Sequence, residues 1–148
     1  YTNDYSFLQD NGKNYDNRWM HRPLIDWEKN NKTAIPGTTE QIIFSSTQKL
    51  IAIRKKLPVI ADRKNITWLS PHNIHVAGYL RAWKDDRVYC LFNFSNKEQH
   101  LTWYAFKEHG MKPAKLYDHW GQKKYTVKND HEYFILPPYS FFILEPKE

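Results

Sequence analysis

Val88-Tyr89-Cys90-Leu91-Phe92-Asn93-Phe94 is a near-continuous apolar run rich in aromatic residues. A short run of this kind, bounded by turn signals, suits a central β-strand. Directly before it, Lys84-Asp85-Asp86-Arg87 reads as a hairpin turn, and Ile74 to Trp83 alternates in part as the partner strand. Shorter candidates follow at Gln99–Trp103, Lys115–Tyr117, Lys124–Val127 and Tyr133–Leu136. Pro137-Pro138 then breaks the chain, and Tyr139–Leu144 forms the last strand. Several short strands with turns between them predict a mainly β domain over 59–148, an antiparallel sandwich or barrel.

Upstream of these strands the texture changes. Residues 38–57 predict a helix. Thr38 and Gln41 have capping-box spacing, Glu40 lies in the first turn, Arg54-Lys55-Lys56 occupy the last, and Pro58 stops it. Ile42, Ile43, Leu50, Ile53 and Leu57 share one arc, while Phe44 and Ile51 fall on another side. An amphipathic surface helix needs a single apolar stripe. Two apolar sides predict two partners, a preceding body and the following β-domain. Residues 1–37 are polar and Asn-rich, with scattered aromatics and no sustained period. They read as a long loop, a length that is uncommon in a compact domain unless the loop is functional or disordered.

Composition narrows the function classes. The chain has 148 residues, 41% of them hydrophobic, with net charge +6. A basic balance invites a nucleic-acid reading. The Lys and Arg are dispersed, however, and their densest cluster sits where cations complement a helix C-terminus. No nucleic-acid partner is expected. No run approaches the ~18 apolar residues of a membrane helix, so no membrane partner is expected either. The opening YTNDYSFLQD shows no signal-peptide pattern. Cys90, the one cysteine, lies in an apolar run and reads as a buried, inert thiol. That usage is compatible with a reducing compartment; the location stays open, with the cytoplasm slightly favoured. His72, His75, His119 and His131 lack compact metal-site spacing, and no CxxC, HExxH or Gly-rich phosphate loop occurs. No metal or cofactor is expected.

The densest polar constellation is Asp16-Asn17-Arg18-Trp19-Met20-His21-Arg22-Pro23. Two Arg, a His and an Asp this close suit a polyol or carboxylate site, since Arg pairs bidentately with carboxylates. A loop held by ordinary salt bridges is the plainer alternative. Asp26 and Glu28 flank Trp27. Glycoside chemistry needs two carboxyls facing each other about 5–10 Å apart, which neighbouring loop acids rarely achieve, so they read as a solvated pair. Trp83, Trp103, Tyr104 and Trp120 are candidates for a sugar-stacking platform, with core packing the better expectation in so aromatic a domain.

The order of these pieces resembles the C-terminal end of amylosucrase and related sucrose- and α-glucan-active members of glycoside hydrolase family 13. The resemblance rests on Asn3-Asp4-Tyr5, the Asp16–Pro23 stretch, the helix with Leu50-Ile51-Ala52-Ile53-Arg54, and the β-domain pieces Leu91–Ser95, Leu116-Tyr117-Asp118 and Leu136–Ser140. It implies that 1–58 is a remnant of the catalytic (β/α)8 barrel, comprising loop 1–37 and helix 38–57, and that 59–148 is the C-terminal antiparallel β-sandwich. Such a barrel needs about 250 residues, so this chain supplies only its last loop and helix. It also implies a retaining α-glucosidase or glucosyltransferase as parent, with the nucleophile, acid/base and stabiliser all upstream. No residue here takes those roles, so the chain alone is expected to be non-catalytic. What carries over is a substrate-pocket role for the loop, at Arg18, Arg22 and His21. Either arginine matches the one that pairs with a pocket acid, with Arg18 slightly favoured. Implied partners are the rest of the barrel and, through the parent, α-glucan or sucrose. A different class remains open: a stand-alone carbohydrate-binding β-domain gripping α-glucan through exposed aromatics.

Overall fold

A computed structural model describes residues 3–21, 25–62, 64–107, 113–129 and 131–147, the side chain of His21 excepted. The chain divides into two compact units, Tyr1–Thr47 and Gln48–Glu148. The division falls inside the long helix rather than after it.

The first unit is built from short helical turns. They are 3-10 turns at Ser6–Gln9, Asn17–His21 and Lys32–Ala34, and a short helix α1 at Trp27–Asn31. The expectation of an irregular loop over 1–37 is therefore corrected in part. The cause is a recurring aspartate device. Asp4 accepts from the Ser6 N–H, Asp10 from Gly12 and Asp16 from Arg18, at 2.9, 2.9 and 3.0 Å. Asp26 caps α1 by accepting from the Lys29 N–H at 2.9 Å. Each short acid captures a backbone donor two or three residues on and fixes one turn locally. Turns this short carry no hydrophobic period.

The long helix, α2, runs Thr39–Lys56. Its start follows the predicted capping logic, with the Gln41 N–H donating to Thr38 Oγ1 at 3.2 Å. The Gln41 side chain reaches Gly37 N instead of the Thr38 amide. The predicted apolar arc is buried only at its end. Ile53 and Leu57 are buried, whereas Ile42, Ile43, Phe44, Leu50 and Ile51 are between 40% and 61% exposed. The correction matters most for Leu50, where periodicity predicts burial. In the second unit Ile53 and Leu57, at the end of α2, pack on the sheet, and Lys49 lies over the Trp120 ring at 4.4 Å.

Among its described residues that second unit holds eight strands: β1 Ile66–Trp68, β2 Val76–Trp83, β3 Asp86–Asn93, β4 Gln99–Thr102, β5 Lys115–Asp118, β6 Lys123–Thr126, β7 Tyr133–Leu136 and β8 Phe141–Lys147. A short helix, α3, spans Tyr104–Lys107. Six strands form one antiparallel sheet in the order β1-β2-β3-β8-β5-β6, and β4 pairs with β7 as a separate ribbon. The β2–β3 hairpin closes on Lys84 and Asp85, with Trp83 opposite Asp86. The apolar run predicted as a central strand is β3, flanked by β2 and β8.

Strand alternation sends side chains to two cores. On the inner face Leu80, Tyr89, Leu91, Leu116 and Leu144 pack with Leu101 and Leu136 of the ribbon and with Trp103 and Phe106 around α3. On the outer face Val88, Cys90 and Ile143 receive Ile53, Leu57 and Val59 from the helix end. A strand covered on both faces needs apolar residues at consecutive positions, which is why Val88 to Leu91 shows no alternation. Gly78 sits where the inner layer is tightest. A Cβ there would lie 2.8 Å from Leu91 Cδ2 and 3.2 Å from Leu69 Cδ1. The result is a mainly β, antiparallel sandwich, as the turn and strand pattern predicts.

Candidate functional site

The loop that sequence singles out is held locally. The Arg18 guanidinium forks onto Asp16, with Nε donating to Oδ1 at 2.8 Å and Nη2 to Oδ2 at 2.7 Å. The same carboxylate also takes the Arg18 backbone N–H, so one acid fixes both the turn and the side chain. The Arg18 side chain remains 79% exposed. Its hydrogen bonds to Asp16, and then the Asp16 charge, raise its pKa above an already high ordinary value. Lys13 lies over the Trp19 ring at 5.0 Å. His21 closes the 3-10 turn, and its side chain lies outside the described residues, as does Arg22 entirely. The structure thus shows Arg18 paired with Asp16, an acid of its own loop.

The other sequence candidates separate. Asp26 is spent as the α1 cap and Glu28 is exposed in the first turn, so the two acids do not face each other across a cleft. Trp103 is buried in the inner core, and Trp120 packs on the outer one against Phe141 at 4.7 Å. Trp83 and Tyr104 are exposed at 51% and 59%. Trp103 and Trp120 thus lie on opposite sides of the sheet and do not share a stacking platform. Cys90 is buried, and burial pushes its thiol pKa up, the opposite of what an activated nucleophile needs.

Three buried polar residues organise the second unit. Asn93, at the end of β3, donates from Nδ2 to the carbonyls of Lys97, Leu136 and Pro137 at 2.8, 3.1 and 2.8 Å. Its Oδ1 accepts from Ser95 N and Oγ at 2.9 and 2.8 Å. The amide thereby ties the six-stranded sheet to the ribbon, and brings Leu91–Ser95 against Leu136–Ser140. Asp118 accepts backbone N–H groups from Trp120, Gly121 and Ile143 at 3.0, 2.8 and 3.1 Å. A Cβ at position 121 would lie 2.5 Å from Asp118 Oδ2, so glycine is required there by close approach. Arg81 donates to Asn65 Oδ1 at 2.5 Å and to the carbonyls of Ile60 and Asp62, pinning the segment after α2 to the sheet. Sequence reasoning passed over Arg81, and strand alternation alone gives no sign that a charged residue is buried there. All three are satisfied by the protein's own groups, so their role is architectural.

The class is therefore a helix-anchored antiparallel β-sandwich with no carboxylate pair of its own among the described residues. Residues 66–143 match the maltogenic amylase C-terminal domain, and the chain belongs to that family. It is a glycoside hydrolase family 13-type accessory domain. Among solved structures, a Bacillus halodurans C-125 protein provisionally assigned as an alpha-N-acetylgalactosaminidase matches 55% of this chain at 14% identity and a TM-score of 0.42. The match spans 20% of that protein's length, a likeness too partial to bear on fold or activity.

Proposed function

We propose that this chain is the C-terminal part of an α-glucan- or sucrose-active enzyme of the α-amylase or amylosucrase type, which hydrolyses or transfers α-glucosyl units. In this reading 59–148 is a structural β-domain and 1–58 the last loop and helix of the catalytic barrel, with the catalytic carboxylates contributed by the rest of the enzyme. The observation that carries it is the family match over 66–143. The exposed apolar residues of α2 support it. Ile42, Ile43, Phe44, Leu50 and Ile51 are too many exposed apolar residues for the solvent side of a surface helix; Phe44 and Ile51 fit a second side docked on the barrel, and Ile42 and Ile43 extend the first side beyond the β-domain.

Within this reading Arg18, Arg22 and His21 are the residues of the chain closest to substrate. The support is the fork on Asp16, which presents the Arg18 guanidinium in one orientation while Nη1 makes no bond to that acid. In the full-length enzyme, Arg18→Ala or Arg22→Ala is expected to lower kcat/KM by ~100-fold or more, because a misplaced positioning group costs that much. Lysine should rescue poorly, since a point charge cannot reproduce the fork. The full-length protein is assayed on sucrose and on maltooligosaccharides, with melting temperature as the folding control. Turnover of neither substrate class would refute the assignment. Near-normal kcat/KM in both variants would refute the role of the loop.

A further inference from the structure

A second feature lies on the outer face of the sheet, beside the helix end. Across β8, β5 and β6 the register sets Glu145, Tyr117 and Lys124 in one row, and Lys147 opposite Lys115 in the next. With His119 these residues line a groove of about 620 Å³, within the usual size of a small-molecule site. The polar groups are arranged rather than scattered. His119 Nε2 and Lys147 Nζ both contact Glu145 Oε2, at 2.8 and 2.6 Å. The Glu145 carboxylate is thereby held in one place within the groove. The His119 ring meets Tyr117 edge-to-face at 4.9 Å, fixing both rings.

We propose that this groove is a saccharide-binding site that takes a short stretch of α-linked glucan. A sugar ring presents an apolar face and a rim of hydroxyls that both donate and accept. The row Glu145–Tyr117–Lys124 supplies the matching set: a half-buried aromatic ring between a fixed acceptor and a flexible donor. Strands lie ~4.8 Å apart, so acceptor and donor stand about 10 Å from one another across the ring. A compact anion would meet the lysines of the groove but would leave the Tyr117 ring unused and stand beside the Glu145 carboxylate, whereas a sugar uses all three residues of the row. Nothing in the sequence suggested the site. Tyr117, Lys124 and Glu145 are far apart in the chain and become neighbours only through strand pairing. The α-linkage rests on the proposed parent activity; the saccharide chemistry rests on the groove.

The test is a titration of the chain with maltoheptaose, followed by backbone amide shifts, with cellohexaose and inorganic phosphate as parallel arms. Maltoheptaose is expected to shift amides of β5, β6 and the end of β8. Tyr117→Ala should weaken binding about tenfold, the upper value of an aromatic contact, while Tyr117→Phe retains it. Lys124→Ala, an exposed substitution, should weaken it severalfold and decides the matter if Tyr117→Ala does not fold. Shifts confined to other strands, or affinity unchanged in Tyr117→Ala and Lys124→Ala, would overturn the site while leaving the parent assignment standing. Phosphate binding without maltoheptaose binding would overturn the saccharide chemistry. Equal binding of cellohexaose would overturn the α-linkage and count against the parent assignment itself.

Discussion

Asn93→Asp is the sharpest perturbation the fold allows, because it changes two hydrogens and a charge and nothing of the shape. In the native protein Nδ2 faces three carbonyl oxygens, those of Lys97, Leu136 and Pro137. Aspartate puts an oxygen in the same place, so three acceptors lose their donor and meet a lone pair. Only the Oδ1 contacts from Ser95 survive. The residue is 3% exposed, so water cannot fill in. Leaving a buried polar group unpaired costs about 1–3 kcal/mol, more when charge is involved. With at least two such groups the expected loss is ~3–5 kcal/mol at neutral pH. The pH dependence has a definite sign. The new carboxyl is pushed up in the folded state by burial and by the carbonyls, so its folded pKa exceeds the unfolded value of about 3.9. The penalty is therefore small below that value and grows as pH rises through the folded pKa. Urea unfolding of both proteins, compared at each pH, measures it. A difference below ~1 kcal/mol at pH 7, or one that does not shrink toward pH 4, would show that Asn93 does not hold the two sheets together.

Asp118→Ala should cost ~3–5 kcal/mol by urea unfolding, since it orphans the N–H groups of Trp120, Gly121 and Ile143; a cost under ~1 kcal/mol would contradict the network. In the isolated chain Ile53→Ala should cost ~2–4 kcal/mol and Leu50→Ala about 1 kcal/mol or less, given their exposures of 7% and 40%; equal losses would mean the burial pattern of α2 is wrong. Burial, with the neighbouring Cys90, pushes the Tyr79 phenol from its ordinary value near 10 up to about 12. The unfolded chain ionises first, so the stability due to the neutral phenol is complete below pH 10 and is lost between 10 and about 12. Phenolate absorbance in Tyr79→Phe against the native chain checks this, and a Tyr79 titrating at its ordinary value would refute it.

Local chemistry made much of this protein legible in one dimension. The helix limits came from a threonine cap, a basic last turn and a following proline, all of which act within a few residues. β2, β3 and the ribbon strands came from apolar runs broken by charged or proline turns. β1 and α3 were missed, because three exposed residues and a single helical turn carry too little periodicity. The aspartate turns of 1–37 were written in the sequence, but as short-range hydrogen bonds rather than as hydrophobic pattern. What tertiary structure alone decided is which side chains meet. Leu50 and Ile53 share one arc of α2, yet Leu50 is 40% exposed and Ile53 buried, because burial depends on which residues the sheet covers. Asn93 and Pro137, or Tyr117 and Glu145, lie in separate parts of the chain. They become partners only when β8 returns between β3 and β5, a pairing set by the whole sheet.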